Sequence, residues 1–273
     1  MRTAILCLLL GLTFAGQAAD ETLTFGVVPQ QTASKLARLW APLLDEISQQ
    51  SGVRLTFRTA RDIPTFEQQL ARGEYDFAYM NPYHFTVFNE SPGYRALAHA
   101  RDKKIRGILI VPKDSPVQSI DELQGKTLAF PAPAAFAASI LPRGALAAAG
   151  IDITPRYVSS HDSVYRTVAQ GLYPAGGGVM RTFRNADASI SDQLRILWTT
   201  EGYTPHAIAS APGISPAVAQ RVQAALVALE RTPAGQELLA ALKIKGFQAA
   251  TDDAWDDVRA LRIDLIQTGA DSQ

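Results

Sequence analysis

The sequence predicts an α/β protein folded as two lobes, and three observations carry that reading. Short apolar, β-rich runs alternate with amphipathic helical segments from Leu23 onward, the spacing of βαβ units around a parallel sheet. The pattern shifts after Ala96. No internal repeat and no Pro/Gly/Ser-rich tether interrupts the 273 residues, which suits two lobes joined by more than one chain crossing better than beads on a string.

Taken in order, Leu23 to Val28 reads as a buried strand stopped by Pro29. Thr32 or Ser34 can cap a helix whose apolar positions (Leu36, Leu39, Trp40, Leu43, Leu44, Ile47) recur at helical spacing until Gly52. Val53 to Thr59 alternates as a second strand, Pro64 to Arg72 is a short helix, and Tyr75 to Met80 is a third strand. Leu97 to Ala100 and Gly107 to Pro112 follow as strands around the charged stretch Arg101 to Arg106. Ser119 to Leu123 is a short helix, and Leu128 to Phe130 is a strand broken by Pro131 and Pro133. Ala134 to Ala149 is a helix that Pro142 should kink or divide. Tyr157 is strand-like, His161 to Gln170 is helical, and Ala175 to Met180 and Leu194 to Thr199 are strands. Helices over Ser215 to Leu229, Thr232 to Ala241 and Thr251 to Gln267 complete the chain.

The first 19 residues read as a cleavable export signal. Arg2 is the positive start, Ala4 to Phe14 is the apolar run, and Gly16, Ala18 and Ala19 suit cleavage. That run falls short of the roughly 20 residues a membrane-spanning helix needs. The sole cysteine, Cys7, lies within it, so the mature chain is expected to carry no disulfide and no thiol chemistry. A periplasmic location follows as an expectation. Lys+Arg and Asp+Glu balance at 26 each, so no net field favours nucleic acid or an anionic membrane. There is no Gly-x-Ser-x-Gly elbow, no P-loop and no His-Glu-x-x-His helix, and the reading is a binding protein, not an enzyme.

Several segments together resemble the phosphate/phosphite/phosphonate-binding family of periplasmic substrate-binding proteins that serve ABC importers. They are Phe25 to Pro29, Tyr75 to Pro82 (YDFAYMNP), Ser119 to Phe130 (SIDELQGKTLAF), His161 to Tyr165 (HDSVY) and Gly176 to Gly178. The resemblance implies the type II periplasmic binding protein fold, with a ligand cleft between two α/β lobes. Lobe 1 would run from 20 to 104, lobe 2 from 105 to 201, and residues 202–273 would return and complete lobe 1. A small ligand would be captured by lobe closure and passed to a transporter permease, or its presence signalled to a membrane receptor. The ligand would be an oxyanion of the family's class, or else a carboxylate or sulfonate. The chain would act as a monomer, with no cofactor, no metal and no nucleic acid.

Candidate ligand-binding residues follow from position and from the resemblance. Tyr79, Asn81 and His84 come at or just after the third strand's C-terminal end, where open α/β sheets bind ligands; the plainer reading is an Asn-Pro turn among buried aromatics. His161, with Ser163 in the same motif, aligns with the family's ligand-contacting histidine and starts a helix, which suits an anion clamp; a capped or core histidine is the alternative. Relatives carry a hydroxyl cluster where Pro131, Ala134 and Ala135 stand, whereas here no hydroxyl occurs until Ser139. Gly177 would let backbone approach a ligand closely, or else pack a strand on a helix. Arg181 stands where relatives tend to place an acid for the ligand's amine, and a guanidinium binds carboxylate or phosphate in bidentate fashion. His206, in the expected return crossing, is a further candidate, and His84, His161 and His206 could converge on a metal.

Overall fold

One face of the first helix, Ala33–Ser51, carries Leu36, Trp40, Leu43, Leu44 and Ile47, and all five are buried. Gly52 ends it with φ +64°, a left-handed backbone that residues with a Cβ adopt at a cost, and its N–H donates to Ser48 O. Side-chain caps start other helices. Asp62 accepts from the Thr65 N–H before Ile63–Ala71, Asn81 from His84 before Pro82–Glu90, and Ser160 from Ser163 before His161–Ala169. The computed structural model describes residues 22–266; the expected export signal and the last position of the expected C-terminal helix lie outside the described residues.

The strands are β1 Leu23–Val27, β2 Leu55–Arg58, β3 Phe77–Met80, β4 Arg95–Ala100, β5 Gly107–Pro112, β6 Thr127–Phe130, β7 Thr154–Tyr157, β8 Gly176–Val179, β9 Leu194–Thr199, β10 Ala207–Ser210 and β11 Phe247–Ala249. They form a six-stranded sheet, order β11-β4-β10-β3-β1-β2, and a five-stranded sheet, order β7-β6-β8-β5-β9. The chain passes from the first to the second after β4 and returns after β9. A bridge pairs these two crossings: Ile105 N–H donates to Tyr203 O at 2.8 Å, and Tyr203 N–H returns a bond at 3.0 Å.

The expectation of a parallel sheet is only half right. β1 runs parallel to β2 and β3, and β6 to β7 and β8. β10 is antiparallel to β3 and β4, β11 to β4, and β5 to β8 and β9. β10, β11 and helix Pro82–Glu90 had not been expected at all. The C-terminal helix is shorter than expected, a 3-10 turn Asp252–Trp255 followed by Asp256–Arg259. The alanine-rich segment divides as Pro142 requires, into a π-helical turn Phe136–Ile140 and an α-helix Leu141–Ala148.

Both faces of the smaller sheet are covered. Along β5, Leu109 and Val111 face one apolar cluster with Leu128 and Phe130, while Ile108 and Ile110 face another with Val164 and Tyr165. The larger cluster fills the first sheet's surroundings, and it also includes Ala132 and the run Ala134 to Ala138 from the second half. The two halves therefore share one apolar contact region. Among the described residues, no helix is long and apolar enough to cross a membrane.

Candidate ligand-binding cleft

The sheets meet where the C-terminal ends of β1, β3 and β8 face the starts of two helices. Five side-chain or backbone bonds tie the halves together, among them Gln31 Nε2 to Asp162 Oδ1 at 3.4 Å. Asn81 Nδ2 donates to Ala134 O at 3.1 Å, His161 N–H to Gln30 O at 3.0 Å, and Arg181 Nη2 to Gln30 Oε1 at 2.8 Å. Lys35 Nζ donates to Asn185 O.

Tyr79 sits at the centre of this contact. Trp40 packs against it at 4.5 Å between ring centroids, His206 stacks on it at 4.9 Å with planes 14° apart, and Arg181 Cζ lies 5.8 Å from its centroid. That guanidinium distance is within the range of a cation–π contact. Arg181 has no ion pair with any carboxylate among the described residues, where the carboxylate pairs belong to other cations.

Two voids lie in this region and share part of their lining. The inner one, about 10 Å³, is lined by Gln30, Asn81, Ala135 to Ala138, His161 and His206. That is about the space one water needs. The outer one, about 290 Å³, is lined by Tyr79, Arg181, Met180, Pro205, His206 and Ile244 together with a rim of basic side chains. Ile105, Val179 and His206 border both.

His161 is buried and hydrogen-bonded to Thr182: Nδ1 lies 3.0 Å from Oγ1. Thr182 Oγ1 donates to Val179 O at 3.0 Å and also meets Tyr165 Oη at 2.7 Å. The contact with Thr182 fixes the ring's orientation, and the hydroxyl can serve Nδ1 as donor or acceptor. Burial, reinforced by Arg181, holds the ring neutral and pushes its pKa down to about 3. A neutral ring brings no positive charge to an anion, so a charged clamp at this helix start is not present. His206 is likewise held well below the ordinary value by burial, then by Arg181. Its Nε2 is buried without a partner.

Other expectations need correcting. His84 is fully buried between Phe66 and Phe88 with Nε2 2.9 Å from Glu67 Oε1, and it borders neither void. The space beside Gly177 is already filled: a Cβ there would lie 1.9 Å from Ala138 O and 2.6 Å from the Phe130 ring. Its smallness admits the chain's own backbone, not a ligand. Ser163 Oγ pairs with the capping Ser160 Oγ at 2.9 Å. Pro131 lines neither void, and Ala134 serves through its carbonyl alone, while Ala135 borders the inner void. Ser139, the first hydroxyl after β6, is buried with no partner. His84, His161 and His206 do not converge on a metal, for no group of three ligating side chains occurs among the described residues.

Gln30 and Thr182 were missed. Gln30 follows β1 as Asn81 follows β3, so the strand-end rule that selected Asn81 applied equally to it. Lys103, in the charged stretch between β4 and β5, lines the outer cavity with Arg184 and Lys243.

The family model described as "ABC transporter, phosphonate, periplasmic substrate-binding protein" matches residues 25–255. Over 229 residues the chain is 21% identical to the phosphate-import protein PhnD of Mycolicibacterium smegmatis, covering 74% of this chain and 70% of that one. Its fold is similar to the binding protein component of an ABC phosphonate transporter from Pseudomonas aeruginosa, with TM-score 0.81, 18% identity and coverage of 88% and 85%. It is equally similar to PhnD1 of Prochlorococcus marinus in complex with methylphosphonate, with TM-score 0.81, 15% identity and coverage of 89% and 97%.

Proposed function

The chain belongs to the family of periplasmic phosphonate substrate-binding proteins of ABC transporters, and from that premise we propose that it captures a small oxyanion between its lobes, at Arg181, and delivers it as a monomer to an importer's permease. The family is a solute-binding component and not an enzyme. The observation that carries the ligand reading is the Arg181 guanidinium: it borders a 290 Å³ cavity with no carboxylate partner among the described residues. An unneutralised guanidinium in a partly enclosed site favours an anion, and its fork fits two oxygens at once. The unpartnered Nε2 of His206 supports the same location, because a buried polar atom without a partner costs free energy that a ligand oxygen would recover.

Closure is the proposed capture step. The bonds from Asn81, His161 and Arg181 across the halves exist only when the lobes are together, so they would favour the closed arrangement once a ligand fills the cleft. A carboxylate or sulfonate is a second reading, supported by the absence of hydroxyls from Pro131 to Ala138. The hydroxyl cluster that the family resemblance implies for that loop has no counterpart here.

The test is a thermal-shift panel on the mature protein followed by calorimetry. It compares phosphate, phosphite, methylphosphonate, aminoethylphosphonate, sulfate, small sulfonates and carboxylates. A ligand at 100 times its Kd stabilises the fold by about 2.7 kcal/mol. Arg181→Ala should weaken the best anion about ten- to a hundredfold, the value of a charged hydrogen bond of about 1.5–3 kcal/mol. Unchanged affinity in that variant would remove Arg181 from the site.

A further inference from the structure

The outer cavity carries more positive charge than a single oxyanion neutralises. Besides Arg181, its wall contains Lys103, Arg184 and Lys243, and none of these four has a carboxylate within 4.0 Å among the described residues. Lys104, also on the rim, is already engaged by Asp257 at 3.4 Å, and Arg106 donates to Thr200 O at 2.9 Å. The one acid in the wall, Asp102, sits 3.7 Å from Arg101. Lys103 Nζ donates to the Lys243 carbonyl and Arg181 to Gln30 Oε1, both neutral acceptors, so the positive charges stay unneutralised and crowd one another. Burial and then Arg181, Arg184 and Lys245 lower the Lys103 pKa, so the ammonium is held there against repulsion.

Size and lining point the same way. About 290 Å³ falls just under the range for drug-sized ligands, roughly 300–1,000 Å³, which suits a small organic solute. The same wall carries the apolar side chains of Tyr79, Met180, Pro205 and Ile244. A cluster of cations without carboxylate partners beside apolar side chains matches a short carbon chain with an acid at each end.

We propose that the solute is an organic dianion, with one acidic group at Arg181 and a second held by Lys103, Arg184 and Lys243 in the same cavity. This rests on the anion-binding reading above and names the ligand's far end. A positively charged tail would meet three like charges there, which selects against amino-substituted anions.

Calorimetry on the mature protein at two salt concentrations tests it, with three probes that share a phosphonate and differ at the other end: methylphosphonate, aminoethylphosphonate and phosphonoacetate. Sulfoacetate and succinate repeat the comparison without phosphorus. The expected result is that the two-acid probes bind at least tenfold tighter than methylphosphonate, that aminoethylphosphonate binds weakest, and that added salt narrows the gap. Lys103→Gln combined with Arg184→Gln should bring the ratio of phosphonoacetate to methylphosphonate affinity to within about threefold, and unfolding midpoints would verify that the variant is folded. Binding of single-acid probes with no preference for two acids overturns the proposal and leaves anion capture standing. A double variant that keeps the full preference also overturns it. If no anion of either kind binds, both readings fall.

Discussion

Asn81 performs two separable tasks, and two substitutions can tell them apart. Its Oδ1 accepts from the His84 N–H at 2.7 Å and caps helix Pro82–Glu90, while its Nδ2 donates across the cleft to Ala134 O at 3.1 Å. Asn81→Ala removes both. The cap is worth about 1 kcal/mol, and the interlobe bond about 1 kcal/mol more, with an added penalty because the Ala134 carbonyl loses its donor. The sum is about 2–3 kcal/mol, which lowers the unfolding midpoint of a chain this size by roughly 5–10 °C. Asn81→Ser keeps an oxygen for the cap but is too short to reach Ala134, so it should recover about 1 kcal/mol of that loss. Ligand affinity follows a different pattern. Both variants lack the interlobe bond that closure uses, and both should bind about fivefold more weakly, the equivalent of about 1 kcal/mol. Thermal unfolding and calorimetry on the three proteins give the whole comparison. If the serine variant matches the parent in both stability and affinity, the interlobe bond contributes nothing, and the account of Asn81 as a clasp between lobes is refuted.

Gly177→Ala should cost at least about 1–3 kcal/mol, since its Cβ would lie 1.9 Å from a backbone oxygen that cannot swing away. Gly144→Ala, in helix Leu141–Ala148 with open space around it, should instead stabilise by about 0.5–1 kcal/mol in denaturant titrations. A loss there would contradict the packing described. Acid should weaken the fold through the buried histidines. Both His161 and His206 have pKa values below the ordinary 6.5, so the unfolded chain takes up their protons first. Stability is then complete above about pH 6.5 and falls as the pH drops towards 3, by up to about 1.4 kcal/mol per pH unit for each histidine. Denaturant midpoints at pH 7, 6 and 5 measure the slope; His161→Asn should remove one histidine's share, and an identical slope would show that His161 is protonated in the folded protein.

The sequence made some features legible and hid others for identifiable reasons. Helix Ala33–Ser51 was readable because its buried positions follow one 3.6-residue period and a glycine stops it. β1, β3 and β5 were readable as apolar runs. β10 was not: Ala207 to Ser210 (AIAS) is four residues of weak β-propensity, and only its place between two strands distant in sequence makes it a strand. Helix Pro82–Glu90 starts with Asn-Pro, read as a turn, although Asn at the cap and Pro at the first helical position are also a helix start. In the cleft, Tyr79, Asn81, Arg181 and His206 could be named from strand ends and from family position. Whether each faces a void is a tertiary matter, and His84 shows it: one helical turn after Asn81, its ring points into the first lobe's core towards Glu67. Gln30 was legible by a rule already in use. The basic wall was visible only as scattered lysines and arginines, because residues 103, 181, 184 and 243 meet through folding alone.

The position of β10 has a consequence for how the molecule can be divided. It is the last strand but one in sequence, yet it lies inside the larger sheet, hydrogen-bonded to β3 on one side and β4 on the other. A fragment ending at β4 would hold two strands with no partner between them, each with a bare edge open to pairing with a neighbouring molecule. The segment from β5 to β9 has no such gap, since all five strands of its sheet are contiguous in sequence. The two halves are thus unequal as pieces: one can be excised with its sheet whole, while the other exists only once the chain has gone out and come back. Newly made protein faces the same asymmetry, because the edges of β3 and β4 stay exposed until more than a hundred further residues have been made.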